Sequence, residues 1–194
     1  ILRFANTRII DDKNYFDLKP SRKENLIFNG YFQDYKLIKD NLKEIFNYIK
    51  PNFKVNYSPK FENLFKEIMQ FENSVAIGIR FYEESKNPEN HINSCSKVKK
   101  IDEYNNLIRK LEEKLKSPKF YIFVQEENSF TNNLNFNSQY SIISHEKGYQ
   151  GSWPRLKAQS LCKHHIFNNS TFYYWGAIFS TLFYEDKNFN QQIY

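Results

Sequence analysis

Glycine is scarce in this chain, five among 194 residues, and none falls in a G-x-G-x-x-G or G-x-x-x-x-G-K-[ST] spacing. Without those phosphate-cradling loops the chain is not read as a nucleoside triphosphatase or a dinucleotide enzyme. Cysteine is scarcer still: Cys95 and Cys162 form no C-x-x-C pair and define no disulfide framework. Nor do Cys162, His164 and His165 make a metal site, because a strand sends two adjacent histidines to opposite faces; no metal is expected. There is no run of 18 apolar residues and no basic, apolar, small-residue leader, so neither a membrane span nor a signal peptide is expected. The chain opens at Ile1 and not at Met, which leaves room for an upstream segment. The expected location is the cytoplasm, or the Golgi lumen if that segment carries an anchor.

What is abundant is aromatic: 18% of residues are Phe, Trp or Tyr, a composition that packs and does not stay disordered. The formal net charge of +6 favours an anionic partner in a general way. Basic runs such as Lys97, Lys99 and Lys100 are followed by interspersed acids, which describes a solvated face and not a nucleic-acid footprint.

Residues 35–50 place Ile38, Leu42, Ile45, Phe46 and Ile49 at helical spacing until Pro51 ends the pattern. Ser58-Pro59 reads as an N-cap followed by proline at the first helical position, with Phe61, Leu64, Phe65, Ile68 and Met69 as a buried stripe. From Ser74 the texture alternates. SVAIGIR, KFYIFV (119–124), SIISH (141–145) and HHIF (164–167) have strand length. Helical patterns stand at 101–116, at 153–162 behind a Ser152 cap, and from Thr171 onward. The last helix is apolar all round, which puts Phe172 and Trp175 in a core. Alternation of this kind predicts an α/β fold with a parallel sheet between helices, and such sheets bind ligands at the carboxyl ends of their strands. The expected domains are 1–72, helical, and 73–194, holding the sheet.

The strand ends carry the candidate chemistry. Arg80 offers a planar fork suited to a diphosphate, or an ion pair with Glu83 or Glu84. Gln125 and Glu126 can accept hydrogen bonds from a base or a ribose, or bias the next helix's amino end. Asn169, Ser170 and Thr171 stand where a strand meets a helix's first turn, where free backbone N–H groups can cap the helix or grip an anion. Together they suit a nucleotide-diphosphate site.

The stretch LCKHHIFNNSTFYYWGA (161–177) resembles the Ser-Asn-Ser-Thr-Phe-Ser-Trp-Trp-Gly/Ala signature of the alpha-1,2-fucosyltransferases, glycosyltransferase family 11. NGYFQDYKLIKD (29–40), SVAIGIRFYEE and FYIFVQEE are similar, in the same order, to that family's Gly-Tyr-Trp/Phe-Gln, Val-Ala-Ile-His-Ile-Arg-Arg-Gly-Asp-Tyr and Phe-Ser-Asp-Asp segments. Gly78 stands where the family has His, and Phe81 where it has a second Arg. The resemblance implies a GT-B fold in which a Rossmann-like half binds the donor, with only part of the amino-terminal, acceptor half in this chain. It implies an inverting, metal-independent enzyme that moves fucose from GDP-fucose to the O2 of a terminal galactose on a glycan, with no cofactor besides the donor. Carried over by position, Arg80 holds the diphosphate, Glu126 stands near the guanosine beside Gln125, and Asn169, Ser170 and Thr171 face the phosphates. The transfer also needs a base, for which Glu83 is the nearest candidate in the sequence. The alternative is a catalytically inactive descendant that binds glycans or serves a structural role.

Overall fold

The computed structural model describes residues 7–11, 25–29, 39–54, 56–80, 100–168, 170–184 and 190–194. They fall into two compact units, Ile1–Leu42 and Lys43–Tyr194. In the first, strands β1 (Thr7–Asp11) and β2 (Asn25–Asn29) pair in parallel, Thr7 opposite Asn25, and a short 3-10 turn follows at Lys39–Asn41. These two strands are additional to the helices expected at 35–50 and after Ser58, and are not read from the sequence. Their apolar cores, Ile9-Ile10 and Leu26-Ile27-Phe28, are too brief to announce a period.

The second unit begins within α1 (Leu42–Ile49), at Lys43, and continues through a 3-10 turn containing Pro51 to α2 (Pro59–Gln70). Both helices belong with the sheet, so the expected boundary at 72/73 lies inside this unit. The reason is packing: Phe61, Leu64, Phe65 and Ile68 of α2 share one buried cluster with Ala76, Tyr121, Phe123 and Ile143 of the strands. Met69, expected in that stripe, is 54% exposed. Ser58 holds the N-cap position with extended backbone but makes no side-chain cap bond; the proline after it starts the helix with φ already set.

Four strands form the sheet, β3 (Ser74–Gly78), β4 (Lys119–Phe123), β5 (Gln139–Ile143) and β6 (His164–Phe167), in the order β5-β4-β3-β6 and all parallel. Residues 192–194 run alongside β6, with His165 N–H donating to the Gln192 carbonyl at 2.9 Å and Tyr194 N–H to the His165 carbonyl at 3.0 Å. The pleat divides the side chains cleanly. Val75, Ile77, Phe120 and Ile122 meet α3 (Ile101–Lys114) through Tyr104, Ile108 and Leu111 on one face. Between β4 and β5 the chain makes a single helical turn, α4 (Ser129–Asn132). On the other face Ala76, Tyr121 and Phe123 meet α2, α5 (Ser152–Leu161) and α6 (Thr171–Phe183). Strands buried on both faces read as unbroken apolar runs, as SVAIG and KFYIF do. The helix connecting β3 to β4 lies on one face and those flanking β6 on the other, so the winding reverses between β3 and β6, the place where open parallel sheets hold ligands.

Two details set the geometry around that point. Gly176 lets α6 close on α5; a Cβ there would meet Gln159 Oε1 at 2.9 Å. Gly151 takes φ 96° and is the N-cap of α5, so Ser152, expected as the cap, is the first helical residue. No helix among the described residues is long and apolar enough to cross a membrane.

Candidate functional site

A cavity of about 340 Å³ opens at the carboxyl ends of the strands, a size ordinary for a small-molecule site. It gathers Arg80 from the end of β3, Gln125 and Glu126 from the end of β4, and Ser170 from the start of α6. These segments are distant in sequence and meet only because the sheet is parallel. Arg80, Gln125 and Glu126 are exposed at its mouth, while Ser170 is 7% exposed. Thr171 is the first residue of α6, half-buried, and does not line the cavity. Glu83 and Asn169 lie outside the described residues.

The crevice between β3 and β6 is itself filled. The ring of Tyr173, 7% exposed, lies on Gly78, and its hydroxyl donates to the carbonyls of Ile79 at 3.1 Å and Phe123 at 3.0 Å. From the opposite face Tyr104 donates to the Gly78 carbonyl at 3.1 Å. Open space is thereby displaced towards β4 and β5, where His145, Gly151 and Ser152 complete the wall. His145 N–H donates to the Gln125 carbonyl at 2.9 Å, tying the two strand ends together. Burial holds the Tyr173 phenol up at about 12 although Arg155 and Arg80 favour its ionised form.

Asn168 fixes the backbone of Arg80. Its side chain, 3% exposed, donates from Nδ2 to the Arg80 carbonyl at 3.0 Å, and its Oδ1 is buried without a partner. Phe172, expected to be wholly core, is half-buried: it packs against the clusters beneath and also lines the cavity. Trp175 is likewise half-buried, 5.2 Å from Phe179 between ring centroids.

Arg155 is the residue that sequence reasoning missed. It sits on α5, 5% exposed, lines the cavity, and donates to the Val124 carbonyl at 2.8 Å and the Tyr149 carbonyl at 3.2 Å. Burial pulls its pKa down while Tyr173 opposes the shift. The available signal was a cation four residues before Gln159, on the side of the helix that also buries Leu156 and Ala158.

Positive elements therefore predominate around the cavity: two guanidinium groups and the amino ends of α5 and α6, against the single carboxylate of Glu126 among its lining residues. Such a wall favours a negatively charged ligand. A larger, open depression of about 870 Å³ lies beside the edge strand β5, lined in part by Lys60, Tyr140, Glu146 and Lys147. It holds none of the residues singled out from the sequence. Nor do the described histidines and acids converge on a metal-binding group: His164 Nδ1 accepts from Gln192 N–H at 3.1 Å and His165 Nε2 lies 3.0 Å from the Cys162 carbonyl, each in its own buried place. Compared with known proteins, the chain matches no family model, no curated protein and no solved structure.

Proposed function

We propose that the chain is the nucleotide-sugar-binding half of a fucosyltransferase-like enzyme of GT-B type, taking GDP-fucose as donor and a galactose-terminated glycan as acceptor. The observation that carries the reading is the convergence of Arg80, Gln125, Glu126 and Ser170 on one cavity beside the winding reversal of a parallel sheet. They come from the same segments that resemble the alpha-1,2-fucosyltransferases.

In this reading the bond from fucose C1 to the β-phosphate oxygen breaks, and the electron pair leaves with GDP. A new bond forms from C1 to galactose O2, on the opposite face, while the O2 proton passes to a base. Charge grows on the departing diphosphate, and Arg80 with the amino end of α6 stabilises it electrostatically. Gln125 and Glu126 accept hydrogen bonds from base or ribose. Glu83, the carboxylate three residues beyond Arg80 in the chain, is the candidate for the base.

A second reading, an inactive descendant that binds glycans or serves a structural role, is favoured by one observation: Tyr173 occupies the space above Gly78, where the resembled family carries His. Donor turnover separates the two. Incubation with GDP-fucose and a galactose-terminated acceptor, with and without a chelator, is expected to release GDP equally in both. GDP binding without turnover supports the inactive descendant, and turnover abolished by the chelator overturns the metal-free mechanism.

A further inference from the structure

Arg155 and Ser170 share an anomaly. A permanent cation buried to 5% exposure is costly unless something compensates it. The groups that Arg155 hydrogen-bonds are neutral: the carbonyls of Val124 and Tyr149 and the hydroxyl of Tyr173. Among the described residues no carboxylate pairs with it, and Glu127 nearby in sequence to Val124 is taken by Lys147 at 2.8 Å. Ser170, 7% exposed, holds the N-cap position of the 13-residue helix α6. A serine there ordinarily turns its oxygen onto an N–H of the first turn, yet its Oγ makes no cap bond and has no partner. Both residues line the same cavity. An unpaired buried cation, an unpartnered buried hydroxyl and the first-turn N–H groups of a helix are the donor set that phosphate oxygens satisfy.

We propose that Arg155 and Ser170 form an inner phosphate site, separate from Arg80 at the mouth, so that a diphosphate spans the two. This deepens the donor-site reading and rests on it. The inner site takes one phosphate group, Arg80 the other, and a diphosphate is therefore preferred over a monophosphate of the same charge per group. A phosphate contact at Ser170 is what the resemblance already implies; the new element is Arg155, a buried cation on a helix that the strand-end pattern does not mark.

The test is calorimetric titration of the full chain with inorganic pyrophosphate, inorganic phosphate and GDP. Wild type is expected to bind pyrophosphate more tightly than phosphate, Arg155→Met to lose about tenfold or more of that affinity, as loss of a charge-assisted contact requires, and Arg155→Lys to lose less. Ser170→Ala breaks no hydrogen bond within the protein, so it keeps the fold even if Arg155→Met does not, and it too is expected to weaken pyrophosphate. Unchanged pyrophosphate affinity in Ser170→Ala and Arg155→Lys overturns the inner site, and the donor-site reading survives if GDP still binds. Losses in the variants with GDP bound no more tightly than pyrophosphate keep the inner site and overturn the nucleotide. Binding of neither ligand overturns both.

Discussion

Tyr173 and Gly78 are packed so closely that a Cβ on residue 78 would fall 2.6 Å from both Cδ atoms of the ring, and the Tyr173 hydroxyl joins the strand ends through the carbonyls of Ile79 and Phe123. The glycine and the tyrosine are one device: the first makes room, and the second closes the crevice between β3 and β6.

Gly78→Ala is therefore expected to destabilise the fold by about 1–3 kcal/mol through overpacking, because the ring cannot retreat without giving up its two hydrogen bonds. In a Tyr173→Ala background the same change should cost much less. Urea unfolding of the two single variants and the double variant measures the coupling. Additive losses would contradict the pairing.

Arg80 is exposed and sits beyond the regular strand, so Arg80→Ala should leave the fold intact. Loss of a charge-assisted contact predicts GDP binding weaker by more than about 1.5 kcal/mol. Calorimetry with circular dichroism as the fold control decides it. Unchanged affinity removes Arg80 from the site.

Phe179, in the aromatic cluster beneath α6, carries stability and does not line the cavity. Phe179 is 1% exposed and packs on Phe46 at 5.4 Å and Phe53 at 6.2 Å, so Phe179→Ala should cost about 3–5 kcal/mol. Trp175 is half-buried and should cost less on truncation. Equal denaturation midpoints for Phe179→Ala and the parent would contradict the packing described here.

Burial lowers the pKa of His164 to about 4 and of His165 to about 3, against about 6.5 in an unfolded chain. Below pH 6.5 the unfolded state takes up protons that the native state refuses, so stability falls as pH falls, and the loss stops only below the native values. Between about pH 6 and pH 5 each histidine contributes a slope approaching 1.4 kcal/mol per pH unit, and towards pH 4 the share of His164 falls to about half of that as its native form begins to protonate. Urea unfolding at several pH values should show the decline, and His165→Asn should make it shallower. A stability unchanged from pH 6.5 to pH 4.5 would mean that the two imidazoles are not buried neutral.

Much of the second unit was legible because its strands and helices carry their own periods. HHIF is a strand from His164 to Phe167 as expected, and the helix expected at 101–116 runs from Ile101 to Lys114 with Tyr104, Ile108 and Leu111 buried. Strand β5 was expected two residues further along; Gln139 and Tyr140 are exposed at the sheet's edge and look like loop. Arg80, Gln125, Glu126 and Ser170 could be nominated from strand ends alone. Arg155 could not, since its partners are carbonyls of Val124 and Tyr149, backbone groups that any sequence provides. Tyr173 was equally silent: its aromatic neighbours mark it as core, and only the fold reveals that it lies on Gly78.

The most direct measurement is a crystal structure of the chain grown with millimolar GDP. The account predicts the diphosphate inside the cavity of about 340 Å³, one phosphate beside Arg80 and the other within hydrogen-bonding reach of Arg155 and Ser170. GDP seated in the open depression beside β5, or a cavity left empty at that concentration, would contradict it.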